Sequence, residues 1–324
     1  MLIPRIALFG LGLAILLPAA IAQPGEPLKA HAALVHAIAV SPDGKLLATA
    51  GFDNLVKLWE IAPSGTLKEV KTFTGHTGPV YAVAFAPKEK LLVSGSLDKT
   101  ARIWNIADGK TTKELKGHTD IVDAVAFAPD GKLVATAGAD KSVRLWNPAD
   151  GKEVKNLGAH TGSVYTLAFS PDGKTLASAG SDANNKDYSI KVWDVKAQKE
   201  LKSLKGHTQS VTAVAYGADA NTLISVSFDR TIRIWDIGAA KETKKFGPTT
   251  DDPYAVAWDP KQKRIAVCGY SGLLTVWTPT ADKPVFTKQI KSPGYCVAFI
   301  NDGKNLVSGH DNGSIVVTPI TAGK

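Results

Sequence analysis

One unit of about forty-two residues recurs seven times along the chain. Each copy ends on a tryptophan or on the slot where one is due: Trp59, Trp104, Trp146, Trp193, Trp235, Trp277 and Thr318. A fixed period of that length means one supersecondary module repeated, because a single copy cannot bury its own apolar face. The chain has 324 residues, a length that would ordinarily suit two domains. Seven units consume nearly everything from residue 23 onward, so we expect one domain over 23–324 with repeats at about 31–59, 76–104, 118–146, 160–193, 207–235, 249–277 and 290–318.

The second unit shows how a copy folds. Gly75-His76-Thr77-Gly78 is a turn, and Val80 to Phe85 alternates as a strand. The next turn, Ala86-Pro87-Lys88-Glu89, becomes Ser-Pro-Asp-Gly at 41–44 and 170–173 and Ala-Pro-Asp-Gly at 128–131. Proline there presets one dihedral and glycine supplies a positive φ. Leu91–Gly95, Ala101–Trp104 and Thr112–Leu115 follow as strands, separated by further turns. Four short antiparallel strands per unit make one propeller blade, so the expected fold is all-β: a seven-bladed β-propeller of four-stranded blades. The last unit ends soon after its third strand, at Ile315–Thr318. Gly25–Lys29 stands in a fourth-strand position and is expected to pair with the C-terminal blade, closing the ring and removing two sheet edges.

The leader reads as a secretory signal. Arg5 precedes the apolar run 6–17, then come Pro18 and the small-residue pattern Ala20-Ile21-Ala22. Cleavage after Ala22 is expected, giving an exported, periplasmic or secreted protein with no stable membrane insertion after processing. The net charge is +8, but the lysines stand singly in turns and outer strands, which describes a solvated surface and not a nucleic-acid site. The two cysteines, Cys268 and Cys296, fall on strands of neighbouring units expected to be inner; an exported protein could bridge them, but two buried free thiols are the simpler reading. Asn312-Gly313-Ser314 is a glycosylation sequon of the kind that arises by chance.

The Gly-His turn, the strand-turn Asp and the Trp-Asp ending, intact at Trp193-Asp194 and Trp235-Asp236, resemble the WD-repeat (WD40) family over essentially all of residues 25–318. The resemblance implies a hydrogen-bonded tetrad of His, Ser/Thr, Asp and Trp in each blade. The candidates are His31, Thr49, Asp53 and Trp59; His76, Ser94, Asp98 and Trp104; His118, Thr136, Asp140 and Trp146; and His207, Ser225, Asp229 and Trp235. In the fourth unit His160, Ser178 and Trp193 are clear. Five extra residues leave either Asp182 or Asp187 as the acid, with spacing to Trp193 favouring Asp187. Unit six has Val267 and Ser271 at two tetrad positions and no His; unit seven keeps Ser308 but has Asn312, Thr318 and Ile290. Both blades are expected to lack the tetrad and to rely on apolar packing.

Ser, His and Asp together invite comparison with a catalytic triad. A catalytic site occurs once, whereas this set recurs, each time with a Trp that a triad does not need. No catalytic residue, metal site or cofactor is therefore expected. Histidines on separate blades cannot converge on one ion, and no metalloprotease, P-loop, nucleophile-elbow or haem-attachment motif occurs. The resemblance implies instead a monomeric, non-catalytic scaffold that binds a protein or peptide on the face carrying the His and Asp turns. The residues implied on that rim are His36, Tyr81, Asp123, Tyr165, Thr212, Tyr254 and Tyr295, joined by Phe52, Leu97, Ala139, Phe228, Tyr270 and Asp311 before the turn acid. Aromatic side chains of this kind dominate interface energetics. The rival reading is a propeller enzyme, or a sensor of a small ligand or glycan, working at the channel mouth.

Overall fold

The computed structural model describes residues 20–320 except 89, 185 and 186; most of the leader therefore lies outside the described residues. Seven antiparallel sheets make seven blades, in which sequence neighbours pair as hairpins. The inner strands are Val35–Val40, Val80–Phe85, Val122–Phe127, Val164–Phe169, Val211–Tyr216, Pro253–Asp259 and Gly294–Ile300. Each packs against the inner strand of the next blade, and that of blade seven packs against that of blade one. The ring is thus closed. The second unit unfolds its four strands at Val80–Phe85, Leu91–Ser96, Thr100–Asn105 and Thr111–Lys116, within a residue or so of the expected bounds.

Closure is made as anticipated. Pro27–Lys29 forms the outermost strand of blade seven, pairing Pro27 with Val316, Leu28 with Ile315 and Lys29 with Ser314. Gly25 N–H adds a bond to the Val317 carbonyl at 2.7 Å, and the N–H groups of Ala30 and His31 share the Gly313 carbonyl. Blade one carries one strand more than expected. Ile21–Ala22 pairs with Leu67 and Lys68 on its outer edge, making a five-stranded sheet.

The core is divided among seams between blades. Each buried cluster joins the second and third strands of one blade to the inner strand and Trp of the next. Leu58, Phe73, Val83 and Trp104 meet between blades one and two, and Ile224, Phe246, Val267 and Trp277 between blades five and six. The Trp that ends each unit is therefore a plug against the preceding blade. The seam between blades six and seven has no Trp, since Thr318 occupies that slot; Cys268, Leu274, Val276 and Leu306 fill it instead. Cys268 and Cys296 are both buried and free, and burial pushes the Cys296 thiol up to about 12.

Candidate functional site: the channel-mouth rim

Four blades hold a complete polar tetrad. In blade two, Trp104 Nε1–H donates to Ser94 Oγ at 2.8 Å, and Ser94 stands 2.8 Å from His76 Nε2. The other ring nitrogen, Nδ1, lies 2.7 Å from Asp98. A carboxylate only accepts, so Nδ1 carries the proton and the hydroxyl hydrogen points to Nε2. Blades one, three and five repeat this with His31, Thr49, Asp53 and Trp59, with His118, Thr136, Asp140 and Trp146, and with His207, Ser225, Asp229 and Trp235. Asp98 also accepts Thr77 N–H, Thr100 N–H and the Thr100 hydroxyl, so one acid fastens two turns. The turn residue after it is in the left-handed region: Asn54, Lys99, Lys141 and Arg230 have φ from 62° to 70°. Blades six and seven lack the acid and place Gly272 and Gly313 there, at φ 80° and 81°. Glycine adopts that conformation without the help of a carboxylate cap.

The linked hydroxyls are fully buried, each closed off by an indole. A nucleophile must be reached by substrate, so the resemblance to a triad ends at hydrogen-bond order.

Two details differ from the sequence expectation. In blade four the acid's contacts are shared: Asp182 is buried and accepts the Thr161 hydroxyl and the Asp187 N–H. Asp187 is half-exposed, caps Ser189 N–H and sits 3.8 Å from Lys205. Asp182 keeps the sequence spacing from the His seen in the other blades, whereas Asp187 keeps the spacing to Trp193, caps the third strand as Asp98 does in blade two, and is the acid that acts on His160; the insertion divides the role between the two candidates. His160 and Trp193 still meet at Ser178, at 2.8 and 2.7 Å. In blade seven the polar link is rebuilt, not lost. His310, two residues beyond Ser308 on the same strand, puts Nε2 2.8 Å from the Ser308 hydroxyl and donates Nδ1–H to the Ser292 carbonyl at 3.0 Å. The signal for it was a seventh histidine left without a repeat position. Blade six does lack the tetrad, and Trp277 Nε1–H turns to Thr275 Oγ1 at 2.9 Å.

The rim is built by the backbone. Every inner strand breaks register after its first residue. Val35 pairs with Gly51 and Ala37 with Ala50, which leaves His36 unpaired. The same bulge leaves Tyr81, Asp123, Tyr165, Thr212, Tyr254 and Tyr295 unpaired in the other six blades. A bulge re-aims the side chain it carries, and these seven converge, with Phe228, on one cavity of about 300 Å³. Phe52 stacks on His36 at 5.5 Å and meets Tyr81 at 4.8 Å. His36 reaches Tyr81 at 4.8 Å and Tyr295 at 6.1 Å; Tyr295 reaches Tyr254 at 4.7 Å. Tyr254 continues to Phe228 at 5.4 Å and to Tyr270 at 6.4 Å. Rings from blades two, one, seven, six and five thus form one unbroken arc.

Hydrogen bonds between blades fix it. His36 Nδ1–H donates to the Tyr81 carbonyl at 2.7 Å, Thr212 Oγ1–H to the Pro253 carbonyl at 2.8 Å, and Val214 N–H to Thr166 Oγ1 at 3.1 Å. Burial lowers the His36 pKa, so the ring is neutral at pH 7. Burial raises the Asp123 carboxyl to about 7, with Asp120 and Asp140 pushing the same way. Tyr165 and Tyr270 are exposed, as is Leu97. Beside the cavity, Gln209, Phe228, Asp229, Arg230, Asp252, Tyr254 and Tyr270 line a second, wider recess of about 610 Å³, where Arg230 pairs with Asp252 at 2.6 Å. Of its polar members only Asp229 was singled out in the sequence, as a tetrad acid; Gln209, Arg230 and Asp252 lie off the repeat's marked positions.

Among the described residues, no cluster of His, Cys, Asp and Glu has the arrangement to hold a metal ion, and no helix is long and apolar enough to cross a membrane. A closed ring of seven four-stranded blades, four of them with complete buried polar tetrads, defines a seven-bladed β-propeller. Comparison with protein families makes the assignment specific: the WD domain, G-beta repeat model matches residues 23–60, 67–105, 109–147, 151–194, 198–236 and 288–317. The chain belongs to the WD40 family. The unmatched stretch between 236 and 288 contains blade six, the blade without a tetrad. Comparison with curated proteins finds no match.

Proposed function

We propose that this protein is an exported, non-catalytic scaffold that captures another protein or a peptide on its channel-mouth face. The observation that carries the reading is the set of seven bulges that turn His36, Tyr81, Asp123, Tyr165, Thr212, Tyr254 and Tyr295 onto one cavity, ringed by Phe52, Phe228 and Tyr270. Tetrads hold the frame, and inter-blade bonds hold the rim in place before any partner arrives. Preorganised aromatic area lowers the entropy cost of association. A partner covering both recesses would bury about 800 Å² on each side, the usual size of a specific contact.

The test is capture. The full mature chain, immobilised, retains a partner from the exported-protein fraction, and the triple substitution Tyr165→Ser, Tyr254→Ser and Tyr295→Ser removes that partner while the melting temperature stays within a few degrees. Undiminished capture by the triple variant overturns the reading.

Export rests on the leader. Its processing would leave Gln23 as the first residue, so intact mass of the purified protein is the measurement, with loss of residues 1–22 expected. Ala22 is buried and the pair Ile21–Ala22 extends blade one; a protein recovered with that pair still attached counts against cleavage at this site.

A further inference from the structure

We propose that the channel-mouth cavity seats a single cationic side chain, an ammonium or guanidinium, presented by a basic peptide segment of the partner. The inference rests on the partner-binding reading above and adds the chemistry of the group recognised.

Three observations converge. First, the wall is aromatic: His36, Tyr81, Tyr165, Tyr254 and Tyr295 surround the space, and a cation over such faces is attracted by the ring quadrupoles. At about 300 Å³ the cavity is at the small end of ligand pockets, room for one side chain and not for a folded segment. Second, Asp123 is the one acid in the wall, and its Oδ2 is buried without a hydrogen-bond partner. A buried, unpaired carboxylate oxygen is costly, and a cation brought by a ligand supplies what the fold withholds. Third, carboxylates stand closest to the rim's titratable groups although the molecule is basic overall, at +8. Asp123 acts on Tyr81, Asp252 on Tyr254, Asp311 on Tyr295, and Asp120 and Asp140 on Asp123, while Arg230 beside the cavity is paired with Asp252. The only basic residue in the wall, His36, is held neutral, with Nδ1–H committed to the Tyr81 carbonyl.

The arrangement also sets a pH dependence. Around Asp123 stand Asp120 and Asp140 of its own blade, Tyr81 of blade two and Tyr165 of blade four. With its carboxyl raised to about 7, Asp123 is half protonated near neutrality. A cation pairs with the ionised form, so affinity rises as pH climbs through that value.

The experiment is calorimetric titration of the full mature chain with capped peptides of one sequence, differing at the central position: arginine, lysine, trimethyllysine, or neutral citrulline. The basic peptides should bind at least about tenfold more tightly than the citrulline peptide at pH 8, the affinity scale on which one pairing of this strength registers. Their affinity should drop by about tenfold at pH 6. Asp123→Asn should abolish both differences, and its thermal melt shows whether the ring has formed. Tyr165→Ser, on an exposed position, should weaken the basic peptides by about threefold or more and leave the pH profile in place. Equal binding of arginine and citrulline peptides, or no binding by any peptide, overturns the proposal, as does an unaltered Asp123→Asn variant. Partner capture separates the two readings. If Asp123→Asn still captures the partner and the triple tyrosine variant does not, the cation site falls and the scaffold stands. If both variants capture normally, both readings fall.

Discussion

Two buried ionisable groups pull the stability of this ring in opposite directions with pH. His160 sits between Ser178 and Trp193, and its pKa is lowered to about 4 by burial first and by Lys191 next. A histidine whose folded pKa lies below its unfolded value of 6.5 contributes stability that is complete above 6.5 and is lost as pH falls toward the folded value. His118 and His207 shift the same way, again chiefly through burial. Asp123 does the reverse. Its carboxyl is raised from 3.8 to about 7, so the fold is penalised increasingly as pH rises across that window, and fully above it. Asp123→Asn should therefore raise the unfolding free energy at pH 8 by about 2–3 kcal/mol, after allowance for its partial exposure, and change it little at pH 4. His160→Gln should remove about 1 kcal/mol per pH unit of the slope between pH 6.5 and 5. Urea unfolding of the three proteins across pH 4–8 measures both; parallel curves would contradict the assignments. An acid kept in place at the expense of stability fits a group retained for binding. His160 and Asp123 were both legible from the repeat register. His310 was not, because it had moved to another strand; in blade four both Asp182 and Asp187 were legible as candidates, but not that the insertion divides the acid's contacts between them.

At the level of single strands, Pro27–Lys29 carries more than its length suggests. It joins the start of the ring to its end, and its neighbours Ala30 and Val35 lie in the same buried cluster as Trp59, Ile315 and Val317. Removing it exposes the edge of blade seven and opens the seam to blade one. A chain begun at residue 31 should melt on the order of 10 °C below one begun at residue 23, since a few kcal/mol in a domain of this size shifts the midpoint by that much. Equal melting temperatures, read by circular dichroism, would show that the strand is dispensable. This element was readable because the last unit is one strand short. The pair Ile21–Ala22 was not, as its composition is that of a leader and nothing marks it as a strand. The bulges were equally silent: Tyr81 or Asp123 in an alternating run reads as an ordinary strand residue, and only the ladder shows that each is skipped.

For the whole molecule, the period decided the architecture, because seven units without an intervening domain leave little alternative to a ring. What the period leaves open is which polar groups are frame and which are function, since both repeat at fixed positions. Geometry separates them. Tetrad hydroxyls are sealed in separate seams and nearly identical in each blade that has one, whereas the seven rim residues meet in one cavity. The decisive measurement is partner capture per folded molecule, compared between a tetrad variant, Ser94→Ala, and the triple rim variant Tyr165→Ser, Tyr254→Ser and Tyr295→Ser. Ser94→Ala should lower stability by about 1–3 kcal/mol, by leaving the Trp104 indole and His76 without their shared partner, yet its folded fraction should capture as the parent does. The rim variant should stay folded and capture nothing. A folded Ser94→Ala protein that fails to capture, or a rim variant that captures fully, would contradict the division of labour on which this account rests.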